Sequence, residues 1–301
     1  MAMRISRQRY LFDGPGTYYI DLFRSLSAQE RKLFRQFQVA NVHGGLIKDS
    51  NNESVVRMNV APDTWVTRTA VRRAKKLFDK HIKEGTEGLP DLRGIKPKYH
   101  DFKLYLNNVM GSTVLPVDAD GHTIPAGEWT YSNYHSEDVD WSILPTATPN
   151  RQADSFTAMI CGDHVGTPTN WSRIGVIKSW FDSRGTPRTN EPFVEADVSQ
   201  DPLVNLFDES DAADEIIDSL NSDNDDPPYL VDNHFGIQQT SGAQNNLQRV
   251  AFAATQAGAG QISALNGFSA ICGLVEVHIT QGVGSGEVEL LLDVSMKGDK
   301  I

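Results

Sequence analysis

Short apolar runs alternate along most of the chain with loops rich in Gly, Pro, Asp and Asn, which is the pattern of a strand-rich protein. The alternation is clearest in residues 270–280 and 287–295, where apolar side chains recur at every second position. The glycine-rich connector 282–286 joins these two runs and predicts a β-hairpin. Because no helix follows these glycines, they do not form a phosphate-binding loop. Further strands are predicted at residues 33–47, 55–60, 102–109, 139–144, 156–160, 173–181 and 249–255.

One long amphipathic helix is predicted at residues 64–83, after Pro62 and Asp63 and before Gly85. Its apolar positions fall within an arc of about 120°. They are Val66, Ala70, Ala74, Leu77, Phe78 and His81. The opposite arc is cationic and consists of Arg68, Arg72, Arg73, Lys75, Lys76, Lys80 and Lys83. Asp79 is the only acidic residue within the predicted helix, so pairing along the helix does not neutralise that face.

Two interpretations of this cationic face remain open. It is either an ordinary solvated helix surface or a surface that contacts phosphates, where each neutralised phosphate releases counterions. The charge of the whole chain is also divided. Residues 1–110 carry 20 Lys and Arg against 11 Asp and Glu, whereas residues 111–301 carry 8 against 28. Such asymmetry indicates either a nucleic-acid-facing surface opposed to a solvent-facing one, or two faces that are simply solvated differently.

An acidic segment lies at residues 201–226, with ten Asp and Glu and no Lys or Arg, and it contains a second predicted helix at 211–220. Asp223, Asp225 and Asp226 are candidate ligands for a hard cation such as calcium. The full calcium-binding loop pattern is absent, so a solvated acidic loop is the competing interpretation. In either case we expect the segment to lie on an outer or rim surface, away from nucleic acid.

No catalytic or metal-binding motif is present in the sequence. The eight histidines lack metal-ligand spacing, and Asp163 and His164, adjacent on a predicted strand, would point to opposite faces. Cys161 and Cys272 lie in apolar runs and are expected to be buried free thiols. Four tryptophans are expected to fill the core or a subunit contact rather than stack on bases or sugars. They are Trp129, Trp141, Trp171 and Trp180. The sequence predicts no enzyme, no cofactor and no membrane-spanning helix.

Several segments resemble capsid proteins of small circular, Rep-encoding single-stranded DNA viruses. They are YYIDLFRSLS at residues 18–27, RKLFRQ at 31–36, PDTWVTR at 62–68, the acidic segment ending in DPPY at 226–229, and CGLVEV at 272–277. Together they span most of the chain in order. The resemblance implies a mainly β fold, a single jelly-roll sandwich with long loops and one or two helical insertions. It divides the chain into a short basic segment, 1–16, and one capsid domain, 17–301, with an acidic excursion at 201–228.

The function implied by the resemblance is self-assembly into an icosahedral shell around a single-stranded DNA genome. The partners would be further copies of the chain and the genome; the chain would be located in the virion, after assembly inside the host cell, and no receptor is indicated. Capsid proteins of this group often begin with a long basic arm, but here only Arg4, Arg7 and Arg9 precede the first matching run. Packaging therefore either relies on a folded basic surface, with the cationic arc of the helix facing inward beside these arginines, or is weak.

Two other functions remain as alternatives to the coat protein. One is a calcium-dependent, lectin-like jelly-roll binding module that uses residues 201–226. The other is a hydrolase with scattered catalytic residues on a β scaffold.

Overall fold

The computed structural model describes residues 4–49, 53–87, 99, 101–139, 151–167, 170–182, 247–255, 262–282 and 286–301. The chain divides into two units, residues 1–180 with 235–301 and residues 181–234, and nearly all described residues belong to the first. The fold is mainly β with antiparallel sheets, as the sequence predicted. None of the helices in the described part of the chain is both long and apolar enough to span a bilayer.

Eight strands form two four-stranded antiparallel sheets. Sheet A has the order β1-β12-β3-β10, and sheet B has the order β2-β11-β4-β9. The strands of sheet A are β1 (Ile5–Asp13), β12 (Glu287–Ser295), β3 (Val39–Asp49) and β10 (Ile262–Ile271). Those of sheet B are β2 (Gly16–Asp21), β11 (Leu274–Gln281), β4 (Ser54–Val60) and β9 (Gln248–Ala254).

The pairs are nested along the chain. The first of these eight strands pairs with the last, β2 pairs with β11, β3 with β10, and β4 with β9. The chain therefore follows one long hairpin of four strand pairs that is folded across two sheets. In sequence, residues 61–247 are an insertion between its two innermost strands.

An inserted third sheet and three helices complete the described elements. The inserted sheet C has the order β5-β6-β8-β7, where β5 is Asn133–Val139, β6 is Arg151–Met159, β7 is Val165–Thr167 and β8 is Asn170–Gly175. The helices are α1 (Leu22–Glu30), α2 (Trp65–Glu87) and α3 (Val176–Asp182).

Alternating side chains of both sheets build the core. In β12 the four inward side chains, Val288, Leu290, Leu292 and Val294, are fully buried, while the residues that alternate with them from Glu287 to Asp293 are exposed or half-buried. Tyr10 and Phe12 of β1 meet them from the same sheet, and sheet B contributes Met58, Val277 and other buried side chains to the same cluster. The period of two in the sequence thus correctly marks a half-buried strand.

The predicted hairpin of the last two strands is wrong. β11 pairs with β2 and β4, whereas β12 pairs with β1 and β3, so the two strands lie in different sheets. Alternation identifies a strand and its buried face but does not identify its partner. The chain therefore changes sheets between Gln281 and Glu287.

Three other strand predictions differ from the structure in detail. Residues 102–109 form no regular strand, although they are extended at Tyr105, whose amide donates to the Ala158 carbonyl oxygen at 3.0 Å. The predicted strand 173–181 is strand only to Gly175 and then becomes α3, because a short apolar run fits either element. The predicted strand 33–47 begins at Val39. Residues 5–13, which the sequence analysis assigned to the basic segment 1–16, form β1 of the sandwich.

Part of the outer face of sheet B is covered by the inserted chain. Glu276 of β11 is buried there and accepts hydrogen bonds from Tyr19 at 3.0 Å, Asn59 at 2.8 Å and Asn107 at 3.3 Å. Asn107 belongs to the inserted segment, which also carries the buried side chains of Phe102 and Leu104. A buried carboxylate needs such donors, so this network fixes where the insertion docks.

Asp21 is the second buried carboxylate and joins four parts of the chain. One oxygen caps α1 by accepting the amides of Phe23 and Arg24, both at 3.0 Å. The other accepts from Gln36 Nε2 at 3.1 Å and from Trp129 Nε1 at 2.9 Å. Gln36 in turn bonds the Leu104 backbone through both its amide atoms. Burial raises the pKa of Asp21 to about 6, while these hydrogen bonds oppose the rise.

We expect Asp21 to make stability depend on pH. Its folded pKa of about 6 lies above the ordinary value of 3.8. Its titration therefore favours the folded state most at pH below about 4, and this contribution is lost as the pH rises through about 6. Relative to Asp21→Asn, the unfolding free energy of the wild type should fall by about 2–3 kcal/mol between pH 4 and pH 7, as measured by denaturant titration. A difference that stays constant over this range would contradict the prediction.

A tight turn at Cys272 and Gly273 carries the chain from sheet A to sheet B. Both residues have positive φ, 57° and 66°, and the Gly273 amide donates to the Ala270 carbonyl at 3.1 Å, which closes the turn. The Gly273 carbonyl accepts the Leu22 amide at 2.9 Å, so the turn is tied to the start of α1. A Cβ at Gly273 would lie 2.6 Å from Cδ2 of Phe23, a fully buried ring.

Replacing Gly273 with Ala should therefore lower the unfolding free energy by about 2–4 kcal/mol, because positive φ and the Phe23 contact both disfavour a Cβ. Gly111→Ala is the matched control, since an added Cβ there has nothing within 4 Å. The control should change stability by less than about 0.5 kcal/mol. Equal effects of the two substitutions in a chemical denaturation series would refute this account of the turn.

Candidate nucleic-acid interface

The α2 helix presents the cationic face that the sequence predicted. It begins after Thr64, whose hydroxyl accepts the Thr67 amide at 3.2 Å, and it continues to Glu87, four residues past the predicted end. Val66, Ala70 and Phe78 are buried, as expected from the helical period. Leu77 is the exception among the predicted apolar positions, since 45% of its surface is exposed.

Aromatic contacts hold α2 in place. The Phe78 ring lies 5.7 Å from that of Phe102 and 6.4 Å from that of Tyr134, and the Tyr134 hydroxyl donates to the Ala74 carbonyl at 3.2 Å. The helix therefore packs on the inserted segment and on β5. The opposite face is left toward solvent.

Five of the predicted cations share this exposed face. They are Arg72, Arg73, Lys76, Lys80 and Lys83. At 1.5 Å of rise per residue, the series from Arg72 to Lys83 extends over about 16 Å. A row of like charges of this length creates a positive potential that attracts anionic polymers.

The other cations of α2 lie beside carboxylates. Arg68 makes a two-point contact with Asp63, with Nη2 to Oδ2 at 2.8 Å, and Lys75 pairs with Asp79 one turn later. Their positive charge is therefore balanced locally. Arg72, Arg73, Lys76, Lys80 and Lys83 are the exposed cations among the described α2 side chains.

The N-terminal arginines are placed on or next to β1, also beside carboxylates. Arg7 makes two contacts of 2.7 Å with Asp293 of β12, and this pairing lowers the pKa of Asp293. Arg9 contacts Glu289 at 2.6 Å, and Arg4 lies 3.7 Å from Glu30. The sequence analysis grouped these three arginines with α2, but their partners are more than 20 residues away along the chain and were not visible in the local pattern.

The remaining sequence candidates contribute structure in the described residues. His164 Nδ1 accepts the Gly175 amide at 3.2 Å, and Asp163 accepts the amide of His164 at 2.8 Å, so both side chains bind local backbone. Cys161 and Cys272 are buried free thiols, as predicted, and burial raises the pKa of each. Trp180 is buried, as predicted for a core tryptophan.

One group of side chains has the composition of a metal site. Asp118, Asp120 and His122 place ligand atoms within 4.8 Å of one another, and all three are exposed. However, Asp118 Oδ1 already accepts the amides of Asp120 at 3.0 Å and His122 at 2.8 Å, which accounts for the cluster as a loop turn. The acidic segment 201–226 with Asp223, Asp225 and Asp226, the predicted helix 211–220, and Trp141 lie outside the described residues.

Trp65, the first residue of α2, was missed as a surface residue. Its side chain is 57% exposed, although the sequence analysis treated this region only as the start of the helix. The spacing in the sequence is the signal that identifies this residue. Trp65 precedes Arg72 by seven residues, about two helical turns, and therefore lies on the cationic face.

Comparison of the chain with protein families, with curated proteins and with solved structures finds no match.

Neutralising the exposed face should weaken binding to nucleic acid. Replacing Arg72, Arg73, Lys76 and Lys80 with Gln removes four candidate phosphate contacts. The slope of log K against log salt for a single-stranded oligodeoxynucleotide should then become shallower by about 3. Fluorescence anisotropy over a series of salt concentrations measures this slope.

A charge-matched control replaces Lys32, Lys48, Lys297 and Lys300, four exposed lysines outside α2. It should leave the slope nearly unchanged. If both variants lose the same amount, binding reflects total charge, and the face of α2 is an ordinary solvated surface.

Proposed function

We propose that the chain is a viral coat protein that self-assembles into a closed icosahedral shell around a single-stranded DNA genome. The observation that carries the proposal is the nested strand order of sheets A and B. Pairing the first strand with the last, the second with the second-last, and so on inward is the arrangement of an eight-stranded jelly roll. This architecture occurs in viral capsid domains, lectins and cupins.

The charge distribution favours the capsid among these jelly-roll functions. A lectin or a cupin has no general use for a row of five exposed cations on one helix, whereas a coat protein must neutralise phosphates. In a closed shell each subunit repeats the same face, so a modest charge per subunit becomes a strong field on the inner wall. The contacts would be to phosphates and hence largely independent of base sequence.

The charge distribution also indicates how the genome would be packaged without a long basic arm. Arg4, Arg7 and Arg9 lie beside carboxylates, so they add little net charge. The folded face of α2 is then the principal packaging surface, one of the two alternatives that the sequence left open. The acidic segment would lie away from the genome.

The two sides of the sandwich differ in how their edge strands are covered, and this difference supports assembly through the side of β9 and β10. The β1 and β2 edges are partly paired by the inserted chain, since the Val117 amide donates to the Arg9 carbonyl and the Val114 amide to the Tyr19 carbonyl, both at 2.8 Å. On the opposite side, edge strands β9 and β10 carry Phe252, 54% exposed, and Ile262, 63% exposed. Unprotected edges grow without limit unless the assembly closes. A second copy of the chain is the partner that fits a symmetric shell.

The purified protein should form closed megadalton particles that contain nuclease-protected single-stranded DNA when produced with its genome. Light scattering and negative-stain microscopy over a range of salt and pH measure this directly. Only monomers or dimers under all conditions would overturn the proposal, and a small oligomer that binds glycans with calcium would favour the lectin-like alternative.

The double substitution Phe252→Lys and Ile262→Lys should leave a folded subunit that no longer assembles, because a charge on an edge strand opposes pairing with another chain. Ile5→Lys is the control, since Ile5 is an exposed apolar residue of β1, on the opposite side of sheet A. Assembly that fails in the control as well would show that added charge alone, rather than the β9 and β10 edges, is responsible.

A further inference from the structure

The indole of Trp65 is held in a defined orientation at the beginning of α2. Its ring lies 5.4 Å from that of Trp180, with an angle of 85° between the ring planes. Trp180 is buried, whereas 57% of Trp65 is exposed. The buried indole thus supports one side of the exposed indole, and more than half of the Trp65 surface faces solvent.

Isolated exposed apolar residues are common, so exposure alone does not indicate a binding role for Trp65. Its position relative to the cations does. At 100° per residue, Trp65, Arg72, Lys76 and Lys83 fall within about 40° of one another around the helix. We call these four residues the Trp65 stripe. Along the axis, Arg72 lies about 10 Å from Trp65, Lys76 about 6 Å further, and Lys83 about 10 Å beyond that.

Two carboxylates near the stripe are each paired with another cation of α2, Asp79 with Lys75 and Asp63 with Arg68. Asp63, two residues before Trp65, is engaged by both guanidinium contacts from Arg68. An anionic ligand that approaches the indole therefore meets a paired carboxylate. The stripe combines an aromatic surface at one end with exposed cations at intervals of one or two helical turns.

We propose that Trp65 stacks on an unpaired base of a single-stranded nucleic acid whose phosphates follow Arg72, Lys76 and Lys83. This inference rests on the proposed function and specifies the form of nucleic acid that the interface takes. Aromatic side chains stack on any base, so the contact adds affinity without sequence preference. A duplex keeps its bases paired and stacked internally, so it contacts the cations but not the indole.

Fluorine NMR of the protein labelled with 5-fluorotryptophan tests the contact. Trp65→Phe identifies the Trp65 resonance among the five tryptophans. Addition of a 20-nucleotide oligothymidylate should shift that resonance, while Trp129 and Trp171 act as internal references. A duplex of equal length should leave it in place.

Binding measurements separate stacking from charge. Trp65→Leu should weaken binding of the oligothymidylate about 5- to 100-fold without changing the salt slope, because an indole neutralises no phosphate. Lys76→Gln should instead reduce the salt slope by about 0.7. Duplex affinity should be unchanged by Trp65→Leu. Because Trp65 also contacts Trp180, the unfolding temperature of the variant should fall by only about 2–5 °C, so binding is compared well below it.

The outcomes distinguish this inference from the proposed function. If Trp65→Leu binds normally while the four-fold Gln variant loses binding, stacking is wrong and the coat-protein proposal stands. If the wild type neither binds the oligothymidylate nor assembles, the coat-protein proposal itself fails. A Trp65 resonance that moves with protein concentration alone would assign the stripe to a contact between subunits and overturn the inference.

Discussion

One of the two central strands of each sheet comes from the last part of the chain, and the sandwich depends on this constraint. β12 lies between β1 and β3 in sheet A, and β11 lies between β2 and β4 in sheet B. Their inward side chains supply much of the common core, from Val275 and Val277 to Leu290 and Leu292. Without β11 and β12, β1 and β2 would have no strand to pair with in their sheets, because their sheet partners are only these two strands.

Two buried carboxylates connect this sandwich to the insertion between β4 and β9. Glu276 receives donors from β2, β4 and the inserted segment, and Asp21 receives donors from α1, Gln36 and Trp129. Each would be costly to bury without these hydrogen bonds. The polar contacts thus specify one docking position, where apolar contacts alone would tolerate several. Because α2 packs on the same inserted segment through Phe78, this network also fixes the orientation of the cationic face.

The sequence analysis correctly predicted strands and the α2 helix where buried positions recur at a regular spacing. Residues 287–295 alternate and form β12, and residues 64–83 follow the helical period and form most of α2. The pairing partners of the strands were not predictable, because the hydrophobic period shows which face of a strand is buried but not which strand lies beside it. β1 was read as a basic segment, since Arg7 and Arg9 alternate with Gln8 and Tyr10, and the carboxylates that balance them lie about 280 residues away in β12. α1 was missed because its capping residue, Asp21, lies inside an apolar run that also resembles a strand.

The nested order also determines when each strand pair can form during synthesis of the chain. Arg7 and its partner Asp293 are separated by 286 residues, so β1 leaves the ribosome long before β12 exists. At about 5–20 residues per second, the first strand waits roughly 15–60 s for its partner. The inner pair, β4 with β9, can close earlier, and the outer pairs must follow in order toward the termini. Both sheets are therefore complete only after β12 has been synthesised.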